Sequence, residues 1–346
     1  MGPLDLMRLR CAARLAVAAL ALVVALPAKA QTNVKFSLDG RLEGPAGLFL
    51  FPHDRGYYRA AGLEVTVDEA ASGTATESIT RVASGAYEMG FADINALIKY
   101  RDHNPSAPVK AVFMVYNKPP YAVLGRRSRG VTEPKNLEGK KLGAPTTSST
   151  FGQWPLFAKL NGIEVSKVTI ENIATPVRAP MLAAGQLDAV LGFSFRVYVD
   201  LKDRGVPVDD VVLLPMANYG LKLYGNAIIV NSKFAAEKPE AVKAFLHAFL
   251  KGMKETIRRP ADAVESIVKR DDAAKREVEL ERLRMAIRDN ILTPEVRADG
   301  FGAVAATRME ESIEQIALTY TFKAKPKPED IFDASFLPPA AERKVN

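Results

Sequence analysis

The chain reads as an α/β protein made of two similar lobes, and three observations predict this. Short apolar strands alternate with helices, the pattern of βαβ units on parallel sheets. Pro119-Pro120 interrupts that alternation, because two prolines preclude a regular helix or a central strand. Two segments 100 residues apart echo each other. Ser84-Gly85-Ala86-Tyr87-Glu88-Met89 and Ala184-Gly185-Gln186-Leu187-Asp188-Ala189 each place a glycine at a helix end, an acidic residue three positions on, and then a buried strand.

In the first unit, Val34 to Leu38 alternates as a strand, and a glycine-bearing turn from Asp39 to Gly47 leads into a helix that Pro52 should kink. Leu63 to Val67 alternates again. Ser72-Gly73-Thr74 then reads as the cap of a helix running to Ser84. Met89 to Ala92 and Val109 to Val115 are further strands. Beyond the proline break, Ala122 to Leu124 resumes a strand. A second unit follows: strand Lys141 to Ala144, helix Thr150 to Leu160, strand Val168 to Ile170, helix Val177 to Ala184 and strand Leu187 to Leu191. Val211 to Leu214 and Ala227 to Val230 are the last strands. From Pro239 onward the pattern is helical, with proline in the first turn of the opening helix. The tail from Pro338 reads as loosely attached.

Residues 1–30 carry a three-part secretory pattern. Arg8, Arg10 and Arg14 precede an apolar run from Leu15 to Leu26, and Ala28-Lys29-Ala30 places small residues before Gln31. The run is shorter than the roughly 20 residues that span a bilayer. The expected mature protein starts at Gln31 and is exported across the inner membrane, which the resemblance given below narrows to the periplasm. Cys11, the only cysteine, precedes the apolar run, so a lipid anchor at the end of that run is not expected. From Gln31 on there is no thiol and no disulfide chemistry. Residues 1–30 hold four cations against Asp5, so the formal charge of +7 falls to +4 from Gln31 on. Lys and Arg are interleaved with acids rather than gathered on one arm, which argues against a nucleic-acid partner.

Catalytic constellations are sparse. His53, His103 and His247 never stand at metal-ligand spacing, and there is no nucleophile elbow, P-loop or Gly-x-Gly-x-x-Gly turn. No catalytic residue, metal or cofactor is expected. What remains is a set of strand-to-helix turns rich in small polar residues. In open α/β sheets ligands lie at the carboxyl ends of strands, where helix starts offer free N–H groups. The candidate turns are Gly40 to Pro45 (with Arg41, Glu43, Gly44 and Pro45), Ser72-Gly73-Thr74, Thr146-Thr147-Ser148, and Phe193-Ser194-Phe195-Arg196. Each also reads as a cluster of helix caps. Asp93 and Asn117 stand at the ends of first-unit strands. Phe151, Trp154 and Tyr219 are candidate aromatic walls, with burial in the core as the alternative for Phe151 and Trp154. Arg41 and Arg196 can grip a carboxylate, sulfonate or phosphate, or can be solvated surface charges.

Four stretches together carry a resemblance. Gly47-Leu48 through Gly56-Tyr57-Tyr58 to Gly62-Leu63-Glu64-Val65 is similar to the glycine–leucine, Gly-Tyr-Phe and Gly-Leu-Asp-Val signature of periplasmic solute-binding proteins. The relevant family serves nitrate/sulfonate/taurine and thiamine-pyrimidine-precursor importers. Ser84 to Gly90, Asn136-Leu137-Glu138-Gly139-Lys140-Lys141-Leu142 and Gly185-Gln186-Leu187-Asp188-Ala189 resemble three further family elements. The resemblance covers residues 33–335. It implies a bilobed, type II-like periplasmic binding protein, two doubly wound α/β lobes joined by a two-crossing hinge. Lobe I would be 31–120 plus 223–346 and lobe II 121–222, with crossings at Tyr116 to Tyr121 and Tyr224 to Ala227. It further implies a monomer that closes on a small anionic or aromatic solute and delivers it to an inner-membrane ABC permease. The first turn, Asp39 to Pro45, departs from the Trp-x-Pro-Asn type of pyrimidine-precursor binders, and the cysteine cluster of pyrimidine synthases is missing. The competing readings are such a synthase on the same fold and a periplasmic sensor for a membrane receptor.

Overall fold

The computed structural model describes residues 31–70 and 72–345. The secretory segment expected at 1–30 lies outside these. No helix among the described residues is long and apolar enough to cross a membrane.

Ten strands form two five-stranded mixed sheets. They are β1 (Thr32–Ser37), β2 (Leu63–Asp68), β3 (Met89–Asp93), β4 (Val109–Met114), β5 (Tyr121–Arg126), β6 (Lys141–Ala144), β7 (Thr169–Asn172), β8 (Ala189–Phe193), β9 (Val211–Pro215) and β10 (Asn226–Asn231). The first sheet has the order β2-β1-β3-β10-β4 and the second β7-β6-β8-β5-β9. The two orders superpose place for place. In each sheet one strand runs against the rest: β10 is antiparallel to β3 and β4, and β5 is antiparallel to β8 and β9. Each reversed strand is the one that has just crossed from the other sheet, so the two crossings bind the halves together.

Each expected strand is found, with ends displaced by up to two residues. The echoed motif has a structural basis. Gly85 and Gly185 adopt φ +81° and +72°, a backbone turn that favours glycine. Three residues on, Glu88 accepts the Lys35 N–H at 2.7 Å and Asp188 accepts the Lys141 N–H at 2.9 Å. In both units the acid ties the turn to the neighbouring parallel strand.

The core of the first sheet is aromatic. Phe36, Phe49, Phe91, Phe113, Phe245 and Phe249 are at most 2% exposed, and neighbouring rings lie 4.8–5.4 Å apart. Helix Gly47–Asp54 continues through Pro52, whose ring fills the place a side chain at Gly252 would occupy. From Pro239 to the end no strand occurs among the described residues. The helix after Ser72-Gly73-Thr74 starts only at Glu77, so these residues form a loop and not a cap. The tail is not loose: Arg343 donates to Phe301 O and Pro338 O, both at 2.9 Å, and its own carbonyl accepts from Phe301 N at 2.8 Å.

Candidate functional site

The sheets present their like ends to each other across a cleft of about 700 Å³. The size suits a small organic solute. Strands β1, β3, β6, β7 and β8 end at this cleft, and the reversed strand β10 begins there. The first sheet contributes Asp39, Gly40, Arg41, Glu43, Asp93 and Asn226, together with the loop Ser72-Gly73-Thr74. The second contributes Thr147, Ser148, Asn172, Arg178, Phe193, Arg196 and Asp200. The halves touch: Ala75 N donates to Thr147 O at 3.0 Å and Lys99 Nζ to Gly152 O at 3.0 Å.

Beneath the cleft lies a recess walled by Phe49, Phe91, Tyr116, Phe193 and Phe195, with Pro45 at its edge. Its volume is about 20 Å³, room for one water. Tyr116 stands edge-on to Phe91 at 5.2 Å and to Phe195 at 6.1 Å. Burial pushes the Tyr116 hydroxyl well above its ordinary range, so it is a neutral donor.

One ion pair crosses the cleft, and other charged groups there, Arg178 and Asp39, meet neutral partners. Arg196 Nε donates to Glu43 at 2.5 Å across the two halves, and its guanidinium stands 5.6 Å from the Phe193 ring centroid. Burial works to raise Glu43, but Arg196, Arg282 and Arg178 outweigh it and hold the carboxyl low. Arg178 is 4% exposed and gives Nη1 to Leu191 O at 2.7 Å. Burial, helped by Arg196, brings its pKa down to about 10. Asp39 differs. Burial raises it to about 6 against the pull of Arg196, and Asn226 Nδ2 donates to it at 2.7 Å. Asp200 is also raised, chiefly by burial.

The structure gathers only some of the sequence candidates at the cleft. Arg41, Glu43, Ser72, Gly73, Thr74, Asp93, Thr147, Ser148, Phe193 and Arg196 line it, and Pro45 and Phe195 line the recess. The others lie elsewhere for identifiable reasons. Gly44 packs on the C-terminal helices: its N–H meets Glu279 at 2.6 Å and a Cβ there would collide with the Glu279 carbonyl. Thr146 turns to Asn172 and a neighbouring groove. Ser194 is buried, with its N–H on Pro120 O. Trp154, 1% exposed, packs with Phe157 under the second sheet, and Phe151 and Tyr219 join the same core. Asn117 sits in the crossing, where its Oδ1 accepts from Thr293 at 2.7 Å.

Asp39, Tyr116, Asn172, Arg178, Asp200 and Asn226 were not singled out from the sequence. Asp39 had a signal, since it directly follows a strand's carboxyl end. Asn226 had none under that rule, because a reversed strand brings its amino end to the ligand edge.

Two mixed sheets that each take one reversed strand from the other half, with a cleft between them, define the periplasmic-binding-protein fold of ABC-importer ligand-binding components. A model of the NMT1/THI5-like family matches residues 47–263, and the chain belongs to that family. Among curated relatives, it is 26% identical over 214 residues to the riboflavin-binding protein RibY of Chloroflexus aurantiacus, covering 60% of this chain and 58% of that one. It is 25% identical to the formylaminopyrimidine-binding protein of Halalkalibacterium halodurans, covering 68% and 70%. It is also 25% identical to the 4-amino-5-hydroxymethyl-2-methylpyrimidine phosphate synthase of Schizosaccharomyces pombe, covering 62% of each. The chain thus spans about three fifths of the length of RibY and of the synthase. The periplasmic aliphatic sulphonate binding protein SsuA of Escherichia coli shares the fold with a TM-score of 0.66 at 12% identity, over 90% of this chain and 91% of that one. A ligand-binding component of an ABC-type import system from Staphylococcus aureus does so with 0.66 at 11% identity, over 91% and 100%.

Proposed function

We propose that this protein is the periplasmic solute-binding component of an ABC importer, and that it captures a planar, nitrogen-bearing organic solute between two lobes. The observation that carries the reading is the cleft of about 700 Å³ lined from both sheets, with an aromatic recess at its base. We take residues 31–120 plus 223–346 as one lobe and 121–222 as the other, a monomer that hands its solute to an inner-membrane permease.

The choice of solute rests on charge and shape. Arg196 is paired with Glu43, while Arg178 keeps its charge but gives Nε and Nη1 to carbonyls, which leaves it and the exposed Arg41 with little geometry for gripping a bare anion from two sides. Asp39 and Asn226 offer hydrogen-bonding groups to a polar ring edge, and Phe91 and Phe193 on the cleft lining suit a ring face. Two relatives are named for binding riboflavin and a formylaminopyrimidine, which supports a heterocycle over a bare small anion.

A thermal-shift panel of riboflavin, formylaminopyrimidine, alkanesulfonates and nitrate tests this. A true solute at 100 times its Kd stabilises by about 2.7 kcal/mol. Stabilisation by sulfonates or nitrate alone overturns the heterocycle. Because one relative is named as a synthase, the bound solute should also be recovered and its mass measured. A solute that returns chemically changed overturns the reading of a carrier.

A further inference from the structure

The two crossings between the sheets are braced by a polar stripe on one C-terminal helix. The first crossing is residues 115–120 and the second 216–225. Helix Ala306–Ala317 buries Met309, Ile313 and Ile316 and turns Arg308, Ser312 and Gln315 toward the crossings, a spacing of four and three residues that puts them on one face. Gln315 donates to Gly220 O at 2.9 Å and accepts the Lys222 N–H at 2.9 Å. Ser312 Oγ lies 3.2 Å from Lys222 O and shares its one proton with Arg308 O of its own helix at 2.8 Å. Arg308 reaches both crossings with one nitrogen: Nη2 donates to Asn117 O at 2.8 Å and to Leu223 O at 3.0 Å. Its Nη1 bonds Asn117 Oδ1 at 3.2 Å and also Glu295. The guanidinium lies 3.9 Å from the Tyr224 ring centroid. A π-turn at Ile287–Ile291 adds a second hold, where Asn290 exchanges two hydrogen bonds with Lys118 at 3.0 and 3.1 Å.

A helix that only needed to dock could do so through its apolar stripe. Here its polar stripe instead holds backbone groups of the segments about which the lobes must turn. The planar guanidinium gives one nitrogen to carbonyls of both crossings and the other to Asn117 Oδ1 and Glu295, while its face lies on the Tyr224 ring. The bonds are formed in the arrangement where the cleft walls meet, with Ala75 on Thr147 and Arg196 on Glu43. We infer that Arg308 is a positioning residue for lobe closure: with Ser312 and Gln315 it holds the two crossings in the setting that brings the cleft walls together. This rests on reading the cleft as the capture site, and it makes the closed fraction a property of residues remote from the solute.

The test reads closure without any solute. Spin labels at T80C and S166C, in a C11S background, report the distance between the halves. R308K keeps the charge but loses the second nitrogen, on Asn117 Oδ1 and Glu295, and the planar face on Tyr224. It is expected to lower the ratio of closed to open molecules by roughly tenfold, the weight of one charge-assisted hydrogen bond. S312A/Q315A should lower the ratio in the same direction by less. If R308K does not fold, S312A/Q315A decides. A distance distribution unchanged from the parent overturns the proposal, even if the melting temperature falls, because a merely structural contact would move stability and not the closed fraction. Since no solute is present, a failed solute panel leaves this measurement readable, and a failed measurement leaves the panel readable.

Discussion

The segments 85–103 and 185–203 hold the same parts at a spacing of 100 residues, and their one marked difference polarises the cleft. Each has a positive-φ glycine, an acid bonded to the next parallel strand, a buried strand and a ten-residue helix. At the junction of strand and helix they diverge. Asp93 caps its own helix, accepting the Asn95 and Ala96 N–H groups at 2.7 and 3.0 Å. Its equivalent, Phe193, makes no cap and lies beneath Arg196. A capped helix start has its partial positive charge answered within the chain, and an uncapped one does not. The first half therefore places Asp39 and a self-capped Asp93 at the cleft, while the second places there an aromatic ring, an open helix start and Arg178, with Arg196 paired to Glu43. Two copies of one unit can keep the same skeleton and still offer a solute two different faces.

The cross-cleft pair should show the largest effect. In R196M, Glu43 keeps its desolvated position and loses its bonded cation. That variant should lose about 3 kcal/mol in urea denaturation, and E43L/R196M should recover most of it. If the double variant is no better than the single one, the pair is not the coupled unit described. Next comes the cap itself. D93A removes a capping carboxylate and the acceptor of the Tyr121 hydroxyl and should cost about 2 kcal/mol. F193L leaves no cap to lose and keeps most of the packing on Tyr121 and Phe195. It should cost less stability than D93A and should instead weaken solute binding. Equal losses of stability in the two would break the contrast.

Asp39 gives a smaller effect with a definite sign. Its folded pKa is raised to about 6 from an ordinary 3.8. The protonated form is favoured by folding, so its contribution is complete below about 3.8 and is lost as pH rises through about 6. Stability should therefore fall by about 1 kcal/mol between pH 5 and pH 8 through this group. D39N, which keeps an acceptor for Asn226, should flatten that slope. A slope unchanged in D39N would show that another group titrates there.

The skeleton was legible and the cleft only partly so, for reasons that lie in particular residues. Strands and the Gly-x-x-acid turn advertise themselves through period-two alternation and through glycine, which is why the echo at Gly85 and Gly185 could be read. The cleft draws also on a reversed strand and on helix faces, as with Asn226, Arg178 and Asp200, where no local pattern separates a wall from a surface. For Trp154, the core alternative had a reason that the sequence did contain. Trp154, Phe157 and Ala158 stand at i, i+3 and i+4, the stripe of a helix turned toward its sheet, and all three are buried. Of the rings that line the recess, Phe193 and Phe195 follow a strand's carboxyl end and were candidates, whereas Phe49, Phe91 and Tyr116 look in sequence like core, because they are core on every side but one.

The finest test of the comparison is the acid shared by the two units. Glu88 and Asp188 each accept one N–H from the adjoining parallel strand, at 2.7 and 2.9 Å, and both are partly exposed. An amide oxygen can accept the same bond, so E88Q and D188N should each cost only about 0.5 kcal/mol. Asp188 has additional partners, since Arg129 donates to it at 2.8 and 3.0 Å. That pair is exposed enough to add a few tenths at most. Two small losses of similar size, with D188N slightly the larger, fit two copies of one device. A loss near 2 kcal/mol in one and none in the other would mean that the likeness of the turns is one of shape alone, and that the two halves are held together by different forces.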